Sequence, residues 1–304
     1  MEPFDIVKSP NNTVTYAESH VIANSISEKV RIFCLITTAE KYNFERARAV
    51  KFTWAKRCTK YAFVSGKYDS LLPTIPVKVS DDYNRLGEKS RIALEYIYKK
   101  YGNNFDWFLK ADDDTFVILE NLRLLLLSHS PEEPISFGCK FFPPNGTLYH
   151  SGGAGYVLSR AALKKLVKEG FEEQESNCTR STYLPEDMMI GICLNEVNVA
   201  AVDSRDSLGK HRFLPISPIY HFTRTLPEWL TSYSVYKIDK GIETCSDYAV
   251  AFHYVKPIEM YLYDYWLYHL RPFGIERHLI GNSSNIIELS KSLSYSQRGP
   301  EDKN

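Results

Sequence analysis

The stretch Trp107–Leu122, WFLKADDDTFVILENL, sets three consecutive aspartates between two apolar runs. Like charges side by side repel one another, and burying even one without a partner is costly. The run DWFLKA before the triplet has the composition of a buried strand, and TFVILENLRLLLLSH after it reads as a helix. A carboxylate cluster where a strand hands over to a helix lies at the ligand-facing edge of an α/β sheet. In an extended segment Asp112 and Asp114 point to one side and Asp113 to the other. Two hard oxygen donors on one side make a site for Mg²⁺ or Mn²⁺, and such an ion would remove the repulsion. The plainer reading is a solvated acidic turn in which one aspartate caps the following helix.

Working outward from the triplet, the same alternation recurs. VRIFCLITT (Val30–Thr38) is short, apolar and rich in branched residues, as a buried strand requires. NFERARAVKFTWAKRC sets Ala47, Val50 and Trp54 on one helical face, YAFVSG and PTIPVKVS follow as strands, and EKSRIALEYIYKKY reads as a helix with Ala93, Leu94, Ile97 and Tyr101 inward. Strands alternating with helices predict an α/β fold with a mostly parallel sheet. Downstream, HSGGAGYVLSRAALKKL packs three glycines ahead of a helix, and LPEDMMIGICLNEV is a helix begun by Pro185 with Glu186 and Asp187 in its first turn. CSDYAVAFHYV alternates weakly and reads as a late strand that carries His253. Residues 1–27 read as a polar arm, 28–276 as a single domain, and 277–304 as a loose, polar, Ser-rich tail.

Bulk composition narrows the function. Lys plus Arg equals Asp plus Glu at 37 each in the 304 residues, so no basic field exists to attract a nucleic-acid backbone. No apolar run is long enough to span a bilayer, and the polar start shows no signal peptide. The triplet N-x-[ST] at Asn11, Asn145, Asn177 and Asn282 points towards the secretory route. The six cysteines, Cys34, Cys58, Cys139, Cys178, Cys193 and Cys245, permit disulfides, but spacing does not fix their pairing, and six buried thiols fit as well. Taken alone, His253 in an apolar strand reads as a core residue. Glu186 and Asp187 read as complements to a helix dipole or as a general base. SGGAGYVLS (Ser151–Ser159) reads as a turn or as a place where backbone approaches a ligand closely.

In order along the chain, WFLKADDDTFVILENL, SGGAGYVLS, PEDMMIG, DSRDSLGK (Asp203–Lys210), CSDYAVAFHYV and YHLRPFG (Tyr268–Gly274) together resemble the core 1 β-1,3-galactosyltransferases, metazoan Golgi enzymes of the fringe-like inverting group. VRIFCLITT…VKFTWAKRC matches too, so the resemblance runs from about Val30 to about Gly274. It implies a nucleotide-sugar-binding (GT-A-type) α/β/α sandwich with a mostly parallel mixed sheet. It implies transfer of galactose from UDP-galactose, with inversion and with Mn²⁺, to O3 of N-acetylgalactosamine on Ser or Thr of glycoproteins. It also implies the Golgi lumen and a tendency to pair as a homodimer.

By the same resemblance Asp112, Asp114 and His253 hold the metal. Thr37, Lys89, Tyr254 and the loop Asp81, Asp82 and Tyr83 contact the donor together with Asp112 and His253. Trp229 stacks on the acceptor sugar, and Asp187 is the base, with Glu186 its close rival. Family pairings fit Cys34 with Cys58 and Cys178 with Cys193, which leaves Cys139 and Cys245 either bonded to each other or free. Three features depart from the pattern. RLGEKS (Arg85–Ser90) lacks the tryptophan that members commonly carry before the donor-loop lysine, TCSD has one cysteine where vertebrate members have two, and the family's membrane anchor is not visible. The rival readings are a fringe-like transferase with another donor or acceptor, a catalytically weak chaperone-like paralogue, and a sugar-binding module.

Overall fold

The structure, a computed structural model, describes residues 22–144, 146–173, 176, 178, 184–239, 241–270 and 286–295. The four N-x-[ST] asparagines and residues 271–274 of YHLRPFG lie outside the described residues. In chain order the strands are β1 Ile32–Thr37, β2 Lys60–Ser65, β3 Thr74–Pro76, β4 Trp107–Asp112, β5 Phe116–Val117, β6 Ile135–Gly138, β7 Lys140–Phe141, β8 Tyr149–His150, β9 Tyr156–Ser159, β10 Ala200–Ala201, β11 Phe213–Leu214 and β12 Ala251–Phe252.

β1 is buried at every position because its side chains divide between two cores. Ile32, Cys34 and Ile36 enter one, with Val50, Trp54, Trp107, Leu109, Leu122 and Met260. Phe33 and Leu35 enter the other, with Phe108, Leu94, Ile97, Leu163, Ile190 and Leu194. A strand covered on both faces reads as a continuous apolar run, which is why VRIFCLITT shows no alternation. Seven strands form the main sheet in the order β10-β6-β9-β4-β1-β2-β3. β1 pairs in parallel with β2 and β4, β2 with β3, and β10 with β6, while β9 runs against β4 and β6. This is the mostly parallel sheet that the alternation predicted, mixed as the resemblance implied. Helices Leu86–Tyr101, Arg160–Lys165 and Glu186–Glu196 supply one face, and Arg48–Phe52, Leu119–Leu126 and Pro257–Tyr268 the other.

Three expectations need correction. The helix expected from Thr115 begins at Leu119, because Phe116 and Val117 pair with Phe252 and Ala251 as a short antiparallel strand. That pairing continues as the Ile118 amide donates to Val250 O at 2.8 Å. Part of the expected loose tail is ordered: Ile286–Ser292 is helical and Ser290 Oγ donates to Leu124 O at 2.6 Å. Beyond that helix the Ser207 amide donates to Leu293 O at 3.0 Å and the Tyr295 amide to Arg205 O at 3.2 Å. The segment docks through the Ser290 side chain and through main-chain bonds at Leu293 and Tyr295, which an apolar pattern does not reveal. Residues 22–27 of the expected arm likewise lie in a helix, which runs to residue 29, with Ile26 packed on the core.

Cys34–Cys58 and Cys178–Cys193 are disulfides, as the resemblance implied, and Cys139 and Cys245 are free and buried. Among the described residues no helix is long and apolar enough to cross a membrane.

Candidate active site

The aspartate triplet lies at the carboxyl end of β4, in the middle of the main sheet, with Thr37 directly opposite Asp112 on β1. A second, three-stranded sheet in the order β11-β12-β5 carries the distant His253 to the same place. β5 follows the triplet and β12 precedes His253, so their antiparallel pairing sets the two segments side by side, and the Val255 amide donates to Asp114 O at 2.9 Å. One ligand atom from each of Asp112, Asp114 and His253 falls within 4.8 Å of the others.

The imidazole is oriented from behind. His253 Nδ1 lies 3.1 Å from Pro215 O, and a carbonyl only accepts, so Nδ1 carries the proton. In the neutral ring Nε2 then keeps its lone pair, 3.2 Å from Asp114 Oδ1. Two acceptors at that separation need a cation or proton between them. A histidine whose second nitrogen is tied to backbone is the usual outer support of a metal ligand. Two carboxylates with one imidazole form a mixed oxygen and nitrogen set that could hold a divalent ion. Thr115 Oγ1 donates to Gly153 O at 2.8 Å and so fixes the glycine loop beneath the ring. A Cβ at Gly153 would stand 2.0 Å from His253 Cε1, so only glycine allows the ring its position. The neighbouring Gly152 amide donates to Asp187 Oδ2 at 3.0 Å. Adjacent glycines therefore lie against the histidine on one side and the head of helix Glu186–Glu196 on the other.

The three aspartates differ in environment. Asp113 turns inward and is buried, accepting from Thr38 Oγ1 at 2.7 Å, and burial pushes its carboxyl up to about 7. Burial also works against a charged Asp114, but a proton shared with His253 and the Arg46 guanidinium, 3.2 Å away, outweigh it and hold the group below the usual range. Asp112 Oδ1 accepts from Lys110 Nζ at 2.8 Å. Burial alone would lower the Lys110 ammonium, yet Asp112 and Glu186 outweigh it and raise it. Glu186 is buried, raised by that burial, and accepts from Tyr156 Oη at 2.8 Å. Asp187 is only half-buried.

The expected donor residues fall in two groups. Asp81 accepts from the amides of Glu40 at 2.7 Å and Gly66 at 2.8 Å and pairs with the buried Lys89, which also donates to Thr38 O. Burial opposes its charge, but Lys89 and these amides hold the carboxyl low. Asp81 lines a hollow with Ala39, Gly66, Val79 and Ser80. Asp82 caps the turn Tyr83–Arg85 by accepting from the Asn84 amide at 2.9 Å, and Tyr83 is exposed. Tyr254 stacks on His253 with ring centroids 3.8 Å apart and holds a left-handed φ of 53°. A non-glycine residue held there marks a constrained position of the kind found at binding sites. Trp229, on helix Glu228–Tyr233, is 42% exposed and meets Phe141 edge-on at 6.1 Å. Phe141 in turn meets Tyr149, whose phenol is raised by burial and by the charge of Asp187. An aromatic path thus leads from Trp229 through Phe141 to Tyr149.

Residues that the sequence reading passed over are Lys110, Arg46 and Pro215. Lys110 carried a signal, a charge in an apolar strand two positions before Asp112. Arg46 and Pro215 carried none, since only the tertiary fold brings them in.

Residues 27–212 match the fringe-like family. Glycoprotein-N-acetylgalactosamine 3-beta-galactosyltransferase 1 of Xenopus laevis is 40% identical over 263 residues, covering 85% of this chain and 72% of that protein. Beta-1,3-glucosyltransferase of Mus musculus is 25% identical over 77% of this chain, which spans 43% of that protein's length. A glycosyltransferase involved in the glycosylation of the major capsid of PBCV-1 aligns over 48% of this chain and 68% of its own at 17% identity, with a TM-score of 0.30, too slight a likeness to bear on the fold. The family match over more than half of its length and the 40% identity to the Xenopus protein make this chain a member of the fringe-like family of glycosyltransferases.

Proposed function

We propose that this chain is an inverting, Mn²⁺-dependent transferase that moves galactose from UDP-galactose to O3 of N-acetylgalactosamine on Ser or Thr of glycoproteins, building the core 1 O-glycan in the Golgi lumen. The observation that carries the reading is the convergence of Asp112, Asp114 and His253 in a chain 40% identical to a 3-beta-galactosyltransferase.

Asp112, Asp114 and His253 would hold the ion, which when bound neutralises charge on the donor diphosphate and so eases departure of UDP. The donor is an α-glycoside and the product β, so one in-line displacement suffices. The acceptor O3 forms the bond to the anomeric carbon, the bond from that carbon to the diphosphate oxygen breaks, and UDP carries the electron pair away. The proton from O3 goes to a base on the opposite face. Asp187 suits this role better than Glu186: Glu186 is buried with its oxygens held by the Lys110 ammonium and the Tyr156 hydroxyl, whereas Asp187 is half-buried and accepts from the Gly152 and Met188 amides. Thr37, Lys89, Tyr254 and the Asp81, Asp82 and Tyr83 loop form the donor side, and Trp229 offers a flat face to the acceptor sugar. The departure at RLGEKS is supported by packing: a Cβ at Gly87 would meet Met189 Sδ at 3.0 Å, so helix Leu86–Tyr101 sits close against helix Glu186–Glu196. Lys89 pairs with Asp81 and donates to Thr38 O, contacts that need no tryptophan beside it.

The test is UDP release with Mn²⁺ across a panel of UDP-sugars, with and without a GalNAc-Ser/Thr peptide. Acceptor-dependent release from UDP-galactose alone is expected. Preference for another UDP-sugar would move the chain to a different fringe-like activity, and no release from any would refute a catalytic role.

A further inference from the structure

Apart from the terminal Asp112, Lys110 is the one residue of β4 whose presence the apolar strand does not explain. Side chains of a strand alternate between faces, so Phe108, Lys110 and Asp112 share one. Phe108 enters the core that contains Met189 and Ile190 of helix Glu186–Glu196, and Lys110 lies between that core and the sheet edge. Its side chain is 2% exposed, with Nζ 2.8 Å from Asp112 Oδ1 and 3.2 Å from Glu186 Oε2. Directly across the β4–β9 pair, Tyr156 donates to the other oxygen of Glu186 at 2.8 Å. A buried ammonium is tolerated only with such partners, and here they belong to two parts of the site. Asp112 is on the metal side, and Glu186 opens the helix whose next residue is Asp187.

We propose that Lys110 is a positioning residue that ties the metal-binding carboxylate Asp112 to the head of the helix carrying Asp187, and so sets the donor half of the site against the acceptor half; this rests on the reading of the site given above. Lys110 engages one oxygen of Asp112 and one of Glu186. The first contact orients Asp112 as a ligand, as hydrogen-bonded carboxylates commonly are in metal sites. The second draws Glu186 against the sheet, and Asp187 with it, where the Gly152 amide holds Asp187 at 3.0 Å. The arrangement also explains why Glu186 precedes Asp187: one carboxylate anchors and leaves its neighbour half-exposed.

The test uses the full chain with Lys110→Met, Glu186→Gln and the double variant. Mn²⁺ affinity is read by magnetic resonance of the free ion and stability by thermal melting, and kcat and KM for galactose transfer are measured in parallel. Lys110→Met is expected to melt lower and to bind Mn²⁺ about 10–100-fold more weakly, the range for lost outer-shell partners. The double variant is expected to regain melting temperature, because the buried Glu186 charge is gone, and not to regain affinity. Glu186→Gln leaves Lys110 on Asp112, so affinity is expected to hold while kcat falls with KM little changed. If Lys110→Met does not fold, the double variant still reports the affinity. Wild-type or tighter Mn²⁺ binding without Lys110 would overturn the proposal, the tighter case showing that the lysine only opposes the ion. Recovery of both affinity and melting temperature in the double variant would also overturn it. Binding and melting need no sugar, so a wild-type chain that holds Mn²⁺ but transfers no galactose would sink the substrate reading and leave this one readable.

Discussion

Substituting Gly153 by alanine tests the site through a single methyl group. Its φ does not lie in the left-handed region, so alanine brings no backbone penalty and the effect is purely steric. The added Cβ would stand 2.0, 2.2 and 2.6 Å from His253 Cε1, Nδ1 and Nε2. Nonbonded carbon atoms rest at about 3.5–4.0 Å, so the ring or the loop must move by roughly 1.5 Å. The loop is held by Thr115 Oγ1 on Gly153 O at 2.8 Å, and the ring is backed by Tyr254 at 3.8 Å. The weaker tie is Nδ1 to Pro215 O, already at 3.1 Å. A shift of this size stretches that bond beyond about 3.2 Å, and metal ligands tolerate only about ±0.2 Å. We therefore expect Gly153→Ala to cost about 1–3 kcal/mol in stability through overpacking and to weaken Mn²⁺ binding about 10–100-fold. Denaturant melts and Mn²⁺ titration of the folded variant measure the two effects. Wild-type affinity in Gly153→Ala would show that His253 is not where the metal sits.

Three further outcomes follow from particular residues. Asp187→Asn should lower kcat about 10²–10⁴-fold while Mn²⁺ affinity stays at the wild-type value, and normal turnover would remove Asp187 as the base. Burial holds His150 down at about 3 and His221 at about 4, so both are neutral in the fold, whereas in the unfolded chain they take a proton near pH 6.5. Their contribution to stability is thus present above about pH 6.5 and lost as pH falls towards those depressed values. Urea midpoints between pH 7 and 4.5 should fall less steeply in His150→Asn than in wild type, and parallel slopes would contradict this. Removing the Cys34–Cys58 disulfide, which closes a sequence separation of 24 residues, should cost about 2–4 kcal/mol. An unshifted urea midpoint in the double serine variant would show that the bridge contributes nothing.

The main sheet was legible because its central strands are covered on both faces and read as apolar runs, broken in β4 only by Lys110 ahead of the terminal Asp112. The aspartate triplet was legible as a ligand edge because it follows such a run. What joins His253 to Asp114 was not legible, since β5 and β12 are two residues each and too short to show a period. Without the family resemblance His253 read as a core residue, and it is indeed flanked by the buried Ala251 and Val255. The outer supports were hidden for a related reason: Lys110–Glu186 and His253–Pro215 are contacts between distant segments with no local signature. Ile286–Ser292 escaped because it docks through a buried serine rather than an apolar stripe. Trp229 is half-exposed and packs edge-on against Phe141 and Tyr233, an environment that no local pattern in the sequence announces.

The most direct test of the site is pulsed electron paramagnetic resonance of Mn²⁺ bound to the full chain, compared with His253→Phe. Coupling of the ion to one imidazole nitrogen, present in wild type and absent in His253→Phe, is the expected result. Mn²⁺ bound with no nitrogen coupling, or with the same coupling in both proteins, would contradict a centre built from Asp112, Asp114 and His253.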